Sequence, residues 1–372
     1  MKPGEQMHGA IRSLAVGCLI AATVATDVLA QPKVAEWKLT PTFVVGDGAN
    51  DIVLERVNSV QLHKTGRLLI ADGGAKTIFV VDSSGKALPQ IGRTGAGPAE
   101  YRTPYALATI GDTIAVLDPS NARIGLFNSK GEWQGQWISP QITGSDVRLF
   151  RMPGAQFYNY GTRRDGDRSS TTFVRYDSKG ARDTVVPPPM PSSELGVVCR
   201  MTNAISFFNS VFEPRRIRVP APGNSFLDAT TDNYKVVQNA SGGAPIATFI
   251  GTAPRLPISD TEWEASIKGW TKFQKENTTS GCNHSTITRP ATKPAMRAMW
   301  WDDSGRLWIE RYAAKGFAFD IFNAKGVQVA TIPAPEREAG VEPTVVGNRM
   351  ALLALNADGA QVVRVYRFGA GK

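Results

Sequence analysis

From Ser59 to Gly131 the apolar residues fall in short runs, each bounded by glycine, aspartate or asparagine. Leu68-Leu69-Ile70-Ala71 ends on Asp72, and Ile78-Phe79-Val80-Val81 runs into Asp82-Ser83-Ser84-Gly85. The same order returns as Ile114-Ala115-Val116-Leu117 before Asp118, then Ile124-Gly125-Leu126-Phe127 before Asn128-Ser129-Lys130-Gly131. Asp72 to Asp118, Asp82 to Asn128 and Gly85 to Gly131 are each 46 residues. Asp/Asn-x-x-Gly closes a hairpin because these residues tolerate positive φ. A repeat of about 40 to 50 residues made of short strands is the pattern of a β-propeller blade.

Read in order, the pattern predicts six blades, with seven as the alternative count. Blade one covers about 57–92, blade two 103–138 and blade three 145–187, where Phe173 to Gly180 restates the strand and turn. Blade four covers about 204–251, blade five 296–333 and blade six 341–368. A lone strand within 33–47 has no preceding partner, so it is expected to pair with Val362–Phe368 and close the ring, leaving no open sheet edge. Pro187 to Pro191 reads as a stiff linker between blades. The insertion at about 257–295 breaks the period. Ser259 and Glu262 have capping-box spacing, and Trp263, Ile267, Trp270 and Phe273 follow on one helical face. The fold expected is all-β, a six-bladed propeller with one inserted helix.

Residues 1–30 stand apart from this pattern. Lys2 and Arg12 precede an apolar run from Leu14 to Ala25, and Val28-Leu29-Ala30 offers small residues for cleavage after Ala30. The reading is an export signal, with an uncleaved anchor as the alternative, and a periplasmic or secreted propeller over residues 31–372. Beyond the signal the cysteines are Cys199 and Cys282, an even count that suggests a disulfide in an oxidising compartment. The net charge of +9 comes from scattered Lys and Arg, which reads as a solvated basic surface.

The stretch Ile91 to Pro104 (Ile-Gly-Arg-Thr-Gly-Ala-Gly-Pro-Ala-Glu-Tyr-Arg-Thr-Pro) resembles the linker of NHL-type repeats and of related exported bacterial six-bladed propellers. Ile114–Asp118 and Asn121–Ile124 resemble the strand core that follows it in those repeats. Ala99 departs from the glycine that this pattern favours, and Tyr101 from its phenylalanine. The likeness is good over about 55–138 and 298–333 and weak over 145–255. It implies a six-bladed binding scaffold and carries no catalytic residues. Gly95, Gly97 and Pro98 suit a sharp turn between blades, and Asp72 and Asp118 suit turn amides.

The residues that carry chemistry exclude several classes. His63 and His284 are too few for a histidine metal site, and His63 sits at a turn where exposure is expected. There is no Gly-x-Ser-x-Gly elbow, and Gly92 to Gly97 lacks a strand-to-helix context for a dinucleotide. Arg163, Arg164, Arg168, Arg215, Arg216 and Arg218 would suit a nucleic acid, but export argues against one. The reading is a binding or scaffold module for another envelope protein, as a peripheral subunit of a membrane-associated assembly. Trp263, Trp270, Arg215 and Arg216 are its candidate contacts, since Trp and Arg dominate interface hot spots. Polysaccharide binding is not separable from this reading. No cofactor is expected under it. The alternative is a Ca²⁺-dependent lactonase or hydrolase in the central channel, with Glu55, Asn58, Asn203 and Asp228 as candidate oxygen donors.

Overall fold

The computed structural model describes residues 34–139, 148–165, 168–188, 197–201, 204–278, 282 and 285–370. The expected signal, His284, Asn203 and most of Pro187–Pro191 lie outside the described residues, as do the side chains of Arg163, Arg164 and Arg168.

The strands assemble into six four-stranded blades. Blade 1 is Val57–Leu62, Leu68–Asp72, Thr77–Val81 and Ala87–Leu88; blade 2 is Ala106–Ile110, Thr113–Asp118, Arg123–Phe127 and Trp133–Ile138. Blade 3 is Leu149–Met152, Gln156–Asp165, Arg168–Asp177 and Gly180–Val185; blade 4 is Arg216–Ala221, Ser225–Thr230, Lys235–Ala240 and Pro245–Ile250. Blade 5 is Ala298–Trp301, Leu307–Tyr312, Phe317–Phe322 and Gln328–Ala334; blade 6 is Thr344–Val346, Arg349–Leu355 and Gln361–Ala370, completed by Ala35–Val45. The fold is a six-bladed β-propeller.

The expected pairing of the terminal strands is present. Ala35–Val45 runs antiparallel to Gln361–Ala370 from Trp37↔Ala370 to Val45↔Val363, and meets blade 5 at Ala35↔Ala330. Valines and isoleucines at the strand centres then bury against the neighbouring blade. Val60, Leu62, Leu68 and Ile70 of blade 1 share one core with Val341, Ala351, Leu353 and Val363 of blade 6. Leu69, Ile78 and Val80 of blade 1 share another with Leu107, Ile114 and Val116 of blade 2.

The repeated turns have a common physical basis. In each, an Asp or Asn carboxyl or amide oxygen takes the place of a strand partner for two amides. Asn323 Oδ1 accepts from Lys325 N at 2.9 Å and Val327 N at 3.1 Å, and Gly326 supplies the positive φ of 80°. Asp82, Asn128 and Asn356 repeat the arrangement. Asp72 and Asp118 do the turn work expected of them, and they also join blades. Asp72 accepts from Glu55 N at 2.7 Å and Arg56 N at 3.0 Å in the connection before blade 1, and from Gly74 N and Ala75 N. Asp118 accepts from Arg102 N at 3.0 Å and Thr103 N at 3.1 Å before blade 2.

Three sequence expectations need correction. Blade 4 begins at Arg216, because Ala204–Phe208 pairs with Val197–Met201 as a separate hairpin. The inserted helix is two helices, α1 (Asp260–Ser266) and α2 (Lys268–Glu276). Ser266 Oγ donates back to Trp263 O at 2.7 Å and also meets Ser210 Oγ at 2.9 Å, and Ile267 leaves helical geometry; a serine that competes for a helical carbonyl favours such a break. His63 is buried, at 2% exposure, and not solvated. Its Nδ1 lies 2.8 Å from Thr65 Oγ1, so the turn that was expected to expose it folds over it.

Candidate functional site

Two places on the propeller combine chemistry with access. The first is a cap built from both insertions. The hairpin 197–208 lies in the connection from blade 3 to blade 4, and α1 and α2 lie in that from blade 4 to blade 5. Both connections run from the outer strand of one blade to the inner strand of the next, so both emerge on the same face of the propeller. α1 starts as the sequence indicates, with Ser259 and Glu262 making both bonds of a capping box. Lys293 Nζ pairs with Glu262, and Arg289 Nη1 with Asp260 at 2.7 Å, tying the helix start to the chain that returns to blade 5.

The aromatic stripe of the helices is divided between two packing jobs. Trp263 is half-buried against Phe212, Ile258, Tyr312 and Phe317, which docks α1 on blade 5. Trp270, at 4% exposure, and Phe273 pack on Phe208 of the hairpin with ring centroids 5.0 and 4.7 Å away. Cys199 and Cys282 are joined as a disulfide beside them, with Cα atoms 5.6 Å apart. Trp270 is therefore part of the cap's own core and does not face a partner, which corrects its expected role.

The exposed apolar surface of the cap was not singled out in the sequence. Val198 and Phe207 are directly opposed across the hairpin and are 46% and 74% exposed. Alternation sends Val197, Cys199 and Phe208 inward, so their neighbours must face out. Val211 continues the exposed surface just after the hairpin. Arg215 is exposed beyond it, with Nη2 donating to Arg297 O at 3.1 Å. Arg216 is committed elsewhere, since its Nε and Nη2 grip the two carboxylate oxygens of Asp228 at 2.6 and 2.7 Å, which raises the Arg216 pKa.

The second place is a central cavity of about 310 Å³, lined by residues of all six blades' inner strands or of the connections leading into them. Arg148, before the inner strand of blade 3, reaches across to Glu342, before that of blade 6, at 2.8 Å. At the opposite ends of these strands Arg151 Nη1 points to the carbonyl of Leu62 at 3.4 Å. Gln61 Nε2 donates to Leu62 O and Thr344 Oγ1, and Gln361 Oε1 accepts from Val57 N, so these side chains brace neighbouring blades.

The described calcium candidates are not gathered there. Asn58 lines the cavity, but Glu55 and Asp228 do not. Asp228 is held by Arg218 as well as Arg216, at 2.9 Å. Among the described residues no group of three His, Cys, Asp or Glu side chains is placed to hold a metal ion. His63 lies near the Arg151 end of the cavity. Burial lowers its pKa, with Lys64 and Arg151 adding to that and Asp112 opposing it. Among the described residues no helix is long and apolar enough to cross a membrane.

A model of the DUF5128 family, described as a 6-bladed beta-propeller, matches residues 42–194. No curated protein matches the chain. Several solved structures align with most of the chain at low identity. A Bacteroides fragilis protein described as exported has a TM-score of 0.48 at 13% identity, covering 93% of this chain and 98% of that one. The virginiamycin B lyase of Staphylococcus aureus has a TM-score of 0.41 at 12% identity, covering 89% and 99%. Regucalcin of Agrobacterium tumefaciens, a calcium-binding protein, has a TM-score of 0.41 at 11% identity, covering 91% and 97%.

Proposed function

We propose that the chain is an exported binding module that docks another protein of the cell envelope on the capped face of the propeller. The observation that carries this reading is the pair Val198 and Phe207, held outward on a hairpin that a disulfide and a small aromatic core make rigid. A rigid apolar projection loses little entropy on binding, and a phenylalanine of this exposure offers an anchor for a partner's pocket. Arg215 beside it supplies a polar rim. The export signal expected at residues 1–30 and the disulfide both suit an oxidising compartment. The calcium-dependent lactonase has less support, because Asp228 is bound by Arg216 and Arg218 and Glu55 does not line the cavity.

The test is site-specific photocrosslinking in cells that express the protein naturally. A photoreactive residue at position 207 should give one discrete protein adduct. The same residue at Ile138, an 86% exposed position on the outer strand of blade 2, should give none. Equal labelling from both positions, or none from 207, would remove the support for a docking face there.

A further inference from the structure

The central cavity contains a cation that the fold leaves without a counter-charge. Arg148 and Arg151 both line it, three residues apart on blade 3. Arg148 has Glu342 at 2.8 Å. Arg151 has no carboxylate within salt-bridge distance among the described residues, and its contact with Leu62 O, at 3.4 Å, lies at the long end of hydrogen-bond range. The nearest acids do not serve it. Asp302 is bound by Arg306 Nε at 2.6 Å, by Trp308 Nε1 at 2.8 Å and by two turn amides. Asp303 accepts from Gly347 N at 3.1 Å. Both attract Arg151 only at a distance, and burial outweighs them, so its pKa is lowered. Arg151 is half-buried, and a half-buried charge without a close partner costs the fold free energy that a ligand's charge would offset.

We propose that the central cavity binds a small, singly charged oxyanion on the guanidinium of Arg151. The donor set suits such a ligand. A guanidinium presents a planar fork that matches two oxygens of a carboxylate or phosphate. The volume of about 310 Å³ is at the lower end of ligand pockets. The charge at the other end limits the ligand further. Glu338 and Glu342 line the cavity from the connection into blade 6, the end where Arg148 meets Glu342. Arg151 sits at the other end, beside the last residue of blade 1's inner strand. An anion with its charge at one end fits this polarity, whereas a polyanion would meet the two glutamates.

The experiment is a titration of the purified protein with sodium formate, sodium phosphate and sodium citrate, at ionic strength held constant with sodium chloride. Calorimetry and thermal melting read it out, for the wild type and for Arg151→Met. Formate or phosphate should raise the wild-type melting temperature to a plateau, since a ligand of the folded state stabilises it by mass action. A response to formate alone assigns a carboxylate ligand, and one to phosphate alone assigns a phosphate-type ligand. Arg151→Met should raise the Kd at least tenfold. In ligand-free buffer it should melt at or above the wild type, because methionine fills similar volume without the uncompensated charge. The titrations are run at pH 5.5, where phosphate is largely the monoanion, and three results would each overturn the proposal: no saturable wild-type response to any probe, a response retained in Arg151→Met, or citrate binding tighter than both formate and phosphate. A melting temperature for Arg151→Met below the wild type in ligand-free buffer would do the same, since it would make Arg151 a structural strut.

Discussion

Removing the Cys199–Cys282 bond separates the cap's stability from the propeller's. The perturbation is Cys199→Ser with Cys282→Ser, which keeps both side chains small. The bond spans 83 residues of sequence. Chain entropy alone then assigns it about 4.5 kcal/mol of stabilisation if everything between the cysteines unfolds together. With an unfolding entropy of about 2.1 cal/mol/K per residue, a propeller of this size would lose about 6 °C of melting temperature. That is the upper bound, because blade 4 lies inside the loop and packs with blades 3 and 5. What the bond guards directly is the small cluster of Val197, Phe208, Trp270, Phe273 and Ile287. Too few residues contribute to that cluster for it to hold the hairpin on the helices unaided. The double variant should therefore open locally first. The assay is tryptophan fluorescence during a thermal scan, with Trp270→Phe as the reference for the other seven of the eight tryptophans. The Trp270 signal should shift red in a transition below the main unfolding. A single transition coincident with that of the wild type would refute the reasoning, because it would make the cap's packing sufficient without the bond.

Three further outcomes follow from the same geometry. Ala99 sits at φ 59°, in the left-handed region, within the turn where the resembled pattern carries glycine; Ala99→Gly should stabilise by about 0.5–1 kcal/mol in urea unfolding, since the relief of a left-handed alanine exceeds glycine's entropy cost. Asp72→Ala strips the acceptors from four backbone amides, two of them in the connection leading into blade 1, and should cost about 2–4 kcal/mol by the same measurement. His63 has its pKa lowered by burial, so the unfolded chain protonates first as pH falls below its ordinary value of about 6.5. Stability contributed by the neutral ring is present above that pH and is lost below it, down to the folded-state pKa. Urea midpoints at pH 7.5 and pH 5 should therefore differ less for His63→Gln than for the wild type.

The propeller was legible because its information is local and repeated. Asp72, Asp82 and Gly85 each recur after 46 residues, and each residue type answers to one turn geometry that the structure shows. The capping box at Ser259 was legible for the same reason, since four consecutive residues contain all of its chemistry. Long-range placement was less so. The helical spacing of Trp263 and Trp270 reads as one face, yet a serine at 266 breaks the helix and sends the two rings into different clusters. Val198 and Phe207 carried no signal, because a two-stranded hairpin inside a connection has no repeat to compare with. The disulfide followed from the cysteine count together with the expected export. Arg148 and Arg151 look alike in the sequence. Only the approach of Glu342 from 194 residues away distinguishes the paired charge from the unpaired one.

The docking role of the cap is tested most directly by purifying tagged protein from the envelope of cells that express it naturally. Wild type, Val198→Ser with Phe207→Ser, and Ile138→Ser would be compared, each first shown to melt as the wild type does. The account predicts one stoichiometric protein partner with the wild type and with Ile138→Ser, and its loss from the double variant. Equal recovery of that partner by all three, or a wild-type protein that leaves the envelope as a lone monomer, would contradict it.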